Sequence, residues 1–559
     1  MSTRTDFMTP RSLMTMRLAL GLALAVAAAA APPTRADGPN EGSSWPMIGH
    51  DVRNTRSQPT ESRLGPRNVS RLLPKWVLTT AGDVSATPAV VGNSDGDDDR
   101  DDEDDDRDGR GGRAADGAGD RDGLAVYFPD WGGKLWKVEA ETGRVLWSRS
   151  ISEYNGIPGS ISRTSPSFSR GMIFIGDLNG NMMAVDAKSG NLIWITELDP
   201  NPNTIVTTSP VVHGNRLYIA TSSAGGGPAR QIFRGSMSAL DLRTGRIVWQ
   251  TFVLPDNGGM PGGFAGGAFV NPPAIDVENG LIYGAAGQLY TQPASVAACL
   301  AAAPEGWSEA CFPAGAYFNS VIAFDLRTGA ARWSFRGAGP DARRLGCGET
   351  PPDWCPPWQN NFSVWDFAGS GANVFRTRID RRRRDVIGIG QKSGVYWALD
   401  ARTGALLWST LVGHADDPGG IQWGSAVDDR RIYVAIGHNR NRVPYTIPSG
   451  ETITGGSWAA LDPSTGAVLW QTPDPLGAAD LAALTVANGV LYAGSMSHDG
   501  DQMYALDASS GSILWRYPAG GSVVAGPAIV RGTVYWGSGY ARTGGVGNDK
   551  FYAFSINGR

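Results

Sequence analysis

The five histidines, His50, His213, His414, His438 and His498, are scattered along the chain. None has a neighbour at the spacing of a zinc site, and no Ser/His/Asp constellation is evident. Four cysteines, Cys299, Cys311, Cys347 and Cys355, fall in two close pairs. That usage suits disulfides in an oxidising compartment, and spacing alone allows three connectivities. Cys299–Cys311 and Cys347–Cys355 are the expected pairs. No pair has the CxxCH spacing of a c-type haem. Two further strings hold a charged group where the chain turns. W-D-F-A-G places Asp366 after Trp365, and Q-K-S-G places Lys392 before a glycine. A carboxylate can take a proton and an ammonium can oppose developing negative charge. By themselves, however, Asp366 reads as a strand-start aspartate bonding backbone, and Lys392 as a solvated turn lysine.

The elements that position these groups are set by a repeat. The phrase Asp-x-x-Thr/Ser-Gly-x-x-x-Trp occurs seven times, ending at Trp147, Trp194, Trp249, Trp333, Trp408, Trp470 and Trp515, with Glu139 replacing the first Asp. An eighth tryptophan, Trp76, precedes the first copy, and the last repeat stops before any tryptophan. Ahead of each phrase lies an alternating apolar run, a Gly/Asn turn and a second run. Such alternation broken by turns predicts antiparallel strands. Asp followed by Thr-Gly is tight-turn chemistry. One such four-stranded unit cannot bury its own faces, so the units stack. The expectation is an all-β, eight-bladed propeller over residues 37–559, closed by the strand around Trp76, which completes the last blade. The recurring tryptophans read as a packing girdle between blades.

Composition agrees. The chain has 559 residues, 75 of them Gly and 18% charged. That is too much glycine for a helical bundle and too little charge for a mostly disordered chain. Net charge is −5, but residues 94–122 carry 14 acids against 5 arginines, leaving the rest slightly positive. No basic face points to nucleic acid. Arg4, Arg11 and Arg17 precede a 14-residue apolar stretch, Leu18–Ala31, and then Thr34-Arg35-Ala36. This is the layout of a signal peptide over residues 1–36, and it implies a periplasmic or secreted protein without stable membrane insertion. The acidic insert and the run Arg381–Arg384 each fall between the first and second strands of a blade. Both are therefore expected on the face away from the pocket, the insert as a disordered, solvated loop and alternatively as a weak Ca²⁺-binding or partner-docking tether.

The tryptophan repeat resembles that of the quinoprotein alcohol dehydrogenases. The strings GQKSGVYWALD (390–400), GGIQWGSA (419–426) and TGGSWAALD (454–462), with the cysteine-bearing inserts, are similar to the polyvinyl alcohol dehydrogenase branch. The resemblance covers roughly residues 44–559 and implies oxidation of an alcohol, including a polymeric one, with pyrroloquinoline quinone. A separate acceptor such as cytochrome c would take the electrons. Carried across, Asp366 matches the base that takes the alcohol proton and Lys392 the cation beside the quinone carbonyls. Trp365, Gln422, Trp423 and Arg234 match pocket positions. The family's Ca²⁺ carboxylate falls on Arg230 and its second ligand on Gln288, with Asp366 as the remaining ligand. The stacking tryptophan falls on Val270 beside Phe269, and the vicinal cysteine cap is missing. A weak or absent Ca²⁺ site is therefore expected, with Arg230 turned toward the cofactor's carboxylates or Asp366. Lys392, Gln288 and the 224–234 loop all lie between second and third strands, and Asp366 at the start of a first strand. All would share one face, approached by the glycine-rich 255–267. The alternative reading is a non-catalytic propeller, a periplasmic binding or assembly scaffold.

Overall fold

The computed structural model describes residues 44–92, 123–224, 228–303, 308–337, 367, 369–413, 419–437 and 444–559. The proposed signal peptide, the acidic insert, Cys347, Cys355, Trp365 and Asp366 lie outside these residues. Eight antiparallel sheets follow one another along the chain. Blade 1 is Ala89–Gly92, Leu124–Pro129, Lys134–Glu139 and Val145–Ser150. Blades 2 to 7 repeat this order over 167–197, 211–252, 274–336, 373–411, 420–473 and 485–517. Blade 8 takes three strands from the C-terminus, Ala528–Val530, Thr533–Gly537 and Lys550–Ile556. Its outer strand is Leu72–Thr79, which pairs antiparallel with Lys550–Ile556 and closes the ring, as expected from Trp76. Joining the two chain ends in one sheet leaves no gap between first and last blades.

The girdle has a single repeated geometry. Each indole N–H donates to a backbone carbonyl of the next blade, that of the residue after the repeat's acidic position except at Trp515, which donates to Leu72 of the closing strand at 3.0 Å. Trp147 donates to Ala187 at 3.3 Å, Trp249 to Leu326 at 3.3 Å, Trp333 to Ala401 at 3.1 Å and Trp470 to Ala508 at 3.2 Å. Trp76 of blade 8 does the same to Ala140 of blade 1, at 2.9 Å. The indole also covers the repeat's glycine, which has positive φ: at Gly404 (φ 72°) a Cβ would stand 2.5 Å from Trp333. The aspartate holds the turn, as where Asp325 accepts from both the backbone N–H and the hydroxyl of Thr328, at 2.8 Å each.

Inside the ring, the first strands face the axis with unpaired edges, which need hydrogen-bond partners. Residues 44–58 supply them as a strap around the tunnel. Carbonyls of Trp45, Pro46, Val52, Arg53, Thr55 and Arg56 accept from the N–H groups of Val90, Phe168, Ile275, Val374, Val427 and Val486, at 2.7 to 3.0 Å. Each donor is the second residue of its strand. The Gln58 side chain donates to the equivalent Ile529 carbonyl at 3.1 Å, and Met47 packs in a cluster with Val211 of blade 3. One short segment thus touches every blade.

The arginine run lies at the expected connection between first and second strands, but most of it is strand. Strands Asn373–Ile379 and Arg382–Gly390 extend through it, leaving Asp380 and Arg381 as the turn, both with positive φ. Arg376–Asp385 (2.6 Å) and Arg384–Asp400 (3.3 Å) pair across the strands, which lets the ladder run past the apolar core. Cys299 and Cys311 form a disulfide, as expected, tying the helix Ala294–Ala302 to the turn Glu309–Cys311.

Candidate active site in the central tunnel

A cavity lies on the propeller axis above the strap, with Ile48 and Arg56 of the strap in its floor. Its walls come from a repeated position. The residues four and two places before the first strand line it in five blades: Ser85 and Thr87, Arg163 and Ser165, Thr207 and Ser209, Val270 and Pro272, Val524 and Gly526. Asn271, Trp423, Ala483 and Tyr540 complete the wall. Trp423 is held at φ 45°, a rare conformation for a bulky residue. Its N–H donates to the Gly369 carbonyl at 2.6 Å, and its ring meets Tyr540 edge-on at 5.2 Å.

Two guanidinium groups face this space. Arg163 donates to the Tyr540 hydroxyl at 3.1 Å and lies over the Trp131 ring at 4.7 Å. Burial lowers its pKa, with Tyr540 opposing the shift. Arg56 is fully buried, and none of its three side-chain nitrogens has a hydrogen-bond partner. Burial lowers its pKa to about 10, so it remains charged at neutral pH. The Thr207 hydroxyl is likewise buried and unpartnered. Among the described residues no lining residue is a carboxylate, and no three His, Cys, Asp or Glu side chains converge as metal ligands. A donor-rich, doubly cationic space with aromatic walls fits a flat, multiply anionic molecule such as pyrroloquinoline quinone. Its described lining does not include the carboxylate oxygens that Ca²⁺ prefers.

The structure brings several of the expected residues to the rim. The turn Gln391–Gly394 is locked by Ser393 and Trp397, which donate to the Gln391 amide oxygen at 2.6 and 3.1 Å. This presents Lys392 against Gly369, where a Cβ would stand 3.0 Å from Lys392 Cε and 3.2 Å from Gln422 Cγ. The Asn271 side chain also donates to the Gly369 carbonyl. Lys392, Gln422, Trp423 and Asn271 therefore meet around one glycine, three residues beyond Asp366. Val270 lines the cavity, whereas Phe269 is buried with Met237 and Ile282 in the core between blades 3 and 4.

Arg234, Arg230 and Gln288 are not among the described residues that line the cavity. Arg234 pairs with Asp256 at 2.9 Å and donates to the Leu254 carbonyl at 3.3 Å, anchoring the glycine-rich approach. The Arg230 guanidinium lies 3.9 Å over the Tyr290 ring. The Gln288 carbonyl accepts from Gly267 at 2.9 Å. The sequence reading missed Arg56, Arg163 and Tyr540. Of these only Arg163 sits in a recurring string, S-A-T-P, R-T-S-P and T-T-S-P before successive first strands; nothing comparable marks Arg56 or Tyr540.

The chain is similar to a polyvinylalcohol dehydrogenase of Pseudomonas sp, 26% identical over 94% of this chain and 79% of that protein. It is also similar to one of Sphingopyxis sp. (strain 113P3), 28% identical over 76% of this chain and 68% of that protein. The solved structure of the quinohemoprotein alcohol dehydrogenase ADHIIG from Pseudomonas putida HK5 superposes with a TM-score of 0.65 at 18% identity, covering 94% of this chain and 82% of that one. That likeness shows the shared propeller. The PQQ_2 family model, described as outer membrane protein assembly factor BamB, matches residues 104–335 and 454–558, so the chain belongs to that family of propeller repeats.

Proposed function

We propose that this chain is an exported quinoprotein that oxidises an alcohol, with pyrroloquinoline quinone seated in the axial cavity. The observation that carries the reading is the pair of guanidinium groups facing one cavity, Arg56 fully buried and Arg163 half-buried, in a tunnel lined by hydroxyls and free of described carboxylates. When bound, the quinone would supply the acceptor for a hydride from the alcohol. Arg163, Arg56 and the Ser/Thr hydroxyls would bind its carboxylates, and Trp423 would orient its plane. Lys392 at the rim would oppose negative charge near the quinone oxygens. Asp366 would take the alcohol proton. Electrons would leave to a separate acceptor, such as a cytochrome c. The polyvinylalcohol dehydrogenase relatives support a polymeric alcohol as substrate. Among the described residues no helix is long and apolar enough to cross a membrane, and the N-terminal layout supports export to the periplasm.

The test is reconstitution with pyrroloquinoline quinone, with and without Ca²⁺, followed by dye-linked alcohol oxidation. Asp366→Asn should keep the quinone and lose about 10²–10⁴ in rate. Lys392→Ala should weaken both binding and rate. Wild-type activity in both variants would overturn these assignments. The family model's description favours a second reading, a binding or assembly scaffold. Absence of quinone binding and of any alcohol oxidation would select it.

A further inference from the structure

Arg56 carries two unfavourable features at once. Its backbone is at φ 51°, left-handed geometry that strains a non-glycine residue. Its guanidinium is 0% exposed, with no hydrogen bond at Nε or either Nη and no ion pair among the described residues. A buried charge left unpaired is strongly destabilising. The main chain alone would explain a residue here, since the Arg56 carbonyl accepts from Val486 at 3.0 Å and its N–H donates to Gly49 at 2.9 Å. Neither bond needs an arginine side chain.

The surroundings are shaped to that side chain. Gly424 packs directly on the guanidinium, and a Cβ at Gly526 would stand 3.2 Å from Nη1. Both glycines precede first strands, and Gly526 lines the cavity with Arg56. The nitrogen atoms therefore lie between two bare backbone segments and the cavity. A fork of N–H donors without partners among the described residues, in a space whose described lining holds no carboxylate, is complementary to a carboxylate.

We propose that Arg56 is a carboxylate-binding group in the floor of the tunnel, and that with Arg163 it holds a planar polycarboxylate without a metal ion. The metal-free part rests on the quinone reading above; the anion site itself does not. The strap that circles the blades would then have a second role, delivering one charged side chain to the axis. The six strap carbonyls hold its backbone in place, so the guanidinium is oriented before a ligand arrives.

The experiment uses the full chain, wild type and the variants Arg56→Met and Arg56→Lys, in buffer with EDTA. Calorimetric titrations are run separately with pyrroloquinoline quinone and with benzene-1,3,5-tricarboxylate, and the unliganded proteins are melted. Wild type should bind both. Arg56→Met should weaken each about 10- to 100-fold, the range of a charge-assisted hydrogen bond. Arg56→Lys, which keeps the charge and loses the fork, should fall between. Unliganded Arg56→Met should melt above wild type, because an unpaired buried charge is gone; a merely structural arginine would give the opposite. A lower melting point for Arg56→Met, or equal affinity of all three proteins for both ligands, overturns the site while leaving the quinone reading standing. Quinone binding only after Ca²⁺ is added overturns the metal-free part. Arg56-dependent binding of the tricarboxylate without quinone binding supports the site and removes the quinone reading. Should Arg56→Met not fold, Arg56→Lys decides alone, and unchanged affinity in it overturns the proposal.

Discussion

Arg163 donates to the Tyr540 hydroxyl at 3.1 Å, across 377 residues of chain. The bond joins the entry to blade 2 with a loop of blade 8. Trp131 of blade 1 adds a ring face to the same guanidinium at 4.7 Å. The cation is thereby fixed on the tunnel wall instead of swinging into solvent.

Arg163→Ala should reduce affinity for pyrroloquinoline quinone by about 10- to 100-fold, as expected for one charge-assisted contact. Arg163→Lys should recover only part of this, since lysine has neither the planar fork nor the stack. Equilibrium dialysis of the three proteins checks it, and equal affinities would remove Arg163 from the binding site.

Asp480 predicts a pH-dependent stability. Its carboxyl is fully buried, and burial first, then the neighbouring Asp474, raises its pKa well above the ordinary 3.8. The folded state then holds a proton that the unfolded chain releases. The contribution of this group is fully present below pH ~3.8 and is lost as pH rises through the raised folded pKa. Asp480→Asn has no proton to lose. It should melt higher than wild type at pH 8, by about 1–4 °C, and equally near pH 4. A difference that grows toward acid would contradict this sign.

The girdle can be tested at two glycines with nearly equal backbone angles. Gly156 has φ 71° and open space where a Cβ would go, whereas Gly404 has φ 72° and the Trp333 ring 2.5 Å away. Gly156→Ala should lose about 1–2 kcal/mol, the left-handed penalty alone. Gly404→Ala adds the clash and should lose roughly 2–5 kcal/mol, with a shift in tryptophan emission. Equal losses would mean the indole yields freely.

Deleting residues 94–122 should leave the propeller intact. Gly92 and Leu124 are direct partners in the hairpin, and the deletion joins Asn93 to Gly123. Asn-Gly is the favoured two-residue turn between antiparallel strands. The melting point should move by only a few degrees, about 1–4 °C, and quinone binding should not change. The cavity residues Ser85 and Thr87 lie at the other end of the strand Ala89–Gly92. A variant that does not fold would show that the insert is built into blade 1.

The repeat was legible in the sequence because it is local chemistry. Asp325 bonds Thr328, Gly329 takes positive φ, and Trp333 follows within one hairpin. Seven copies therefore announced eight blades, and Trp76 announced the closure. Lys392 and Gln422 came into view only through the family resemblance of the short strings that hold them. The tunnel itself was not legible. Its wall is made of residues two and four places before strands that lie far apart along the chain, and no single string shows that they converge. Arg56 looked like one more arginine in a polar N-terminal stretch. Only the closed ring makes its segment a strap, buries its side chain on the axis and leaves the guanidinium facing a cavity, because burial and orientation depend on all eight blades at once.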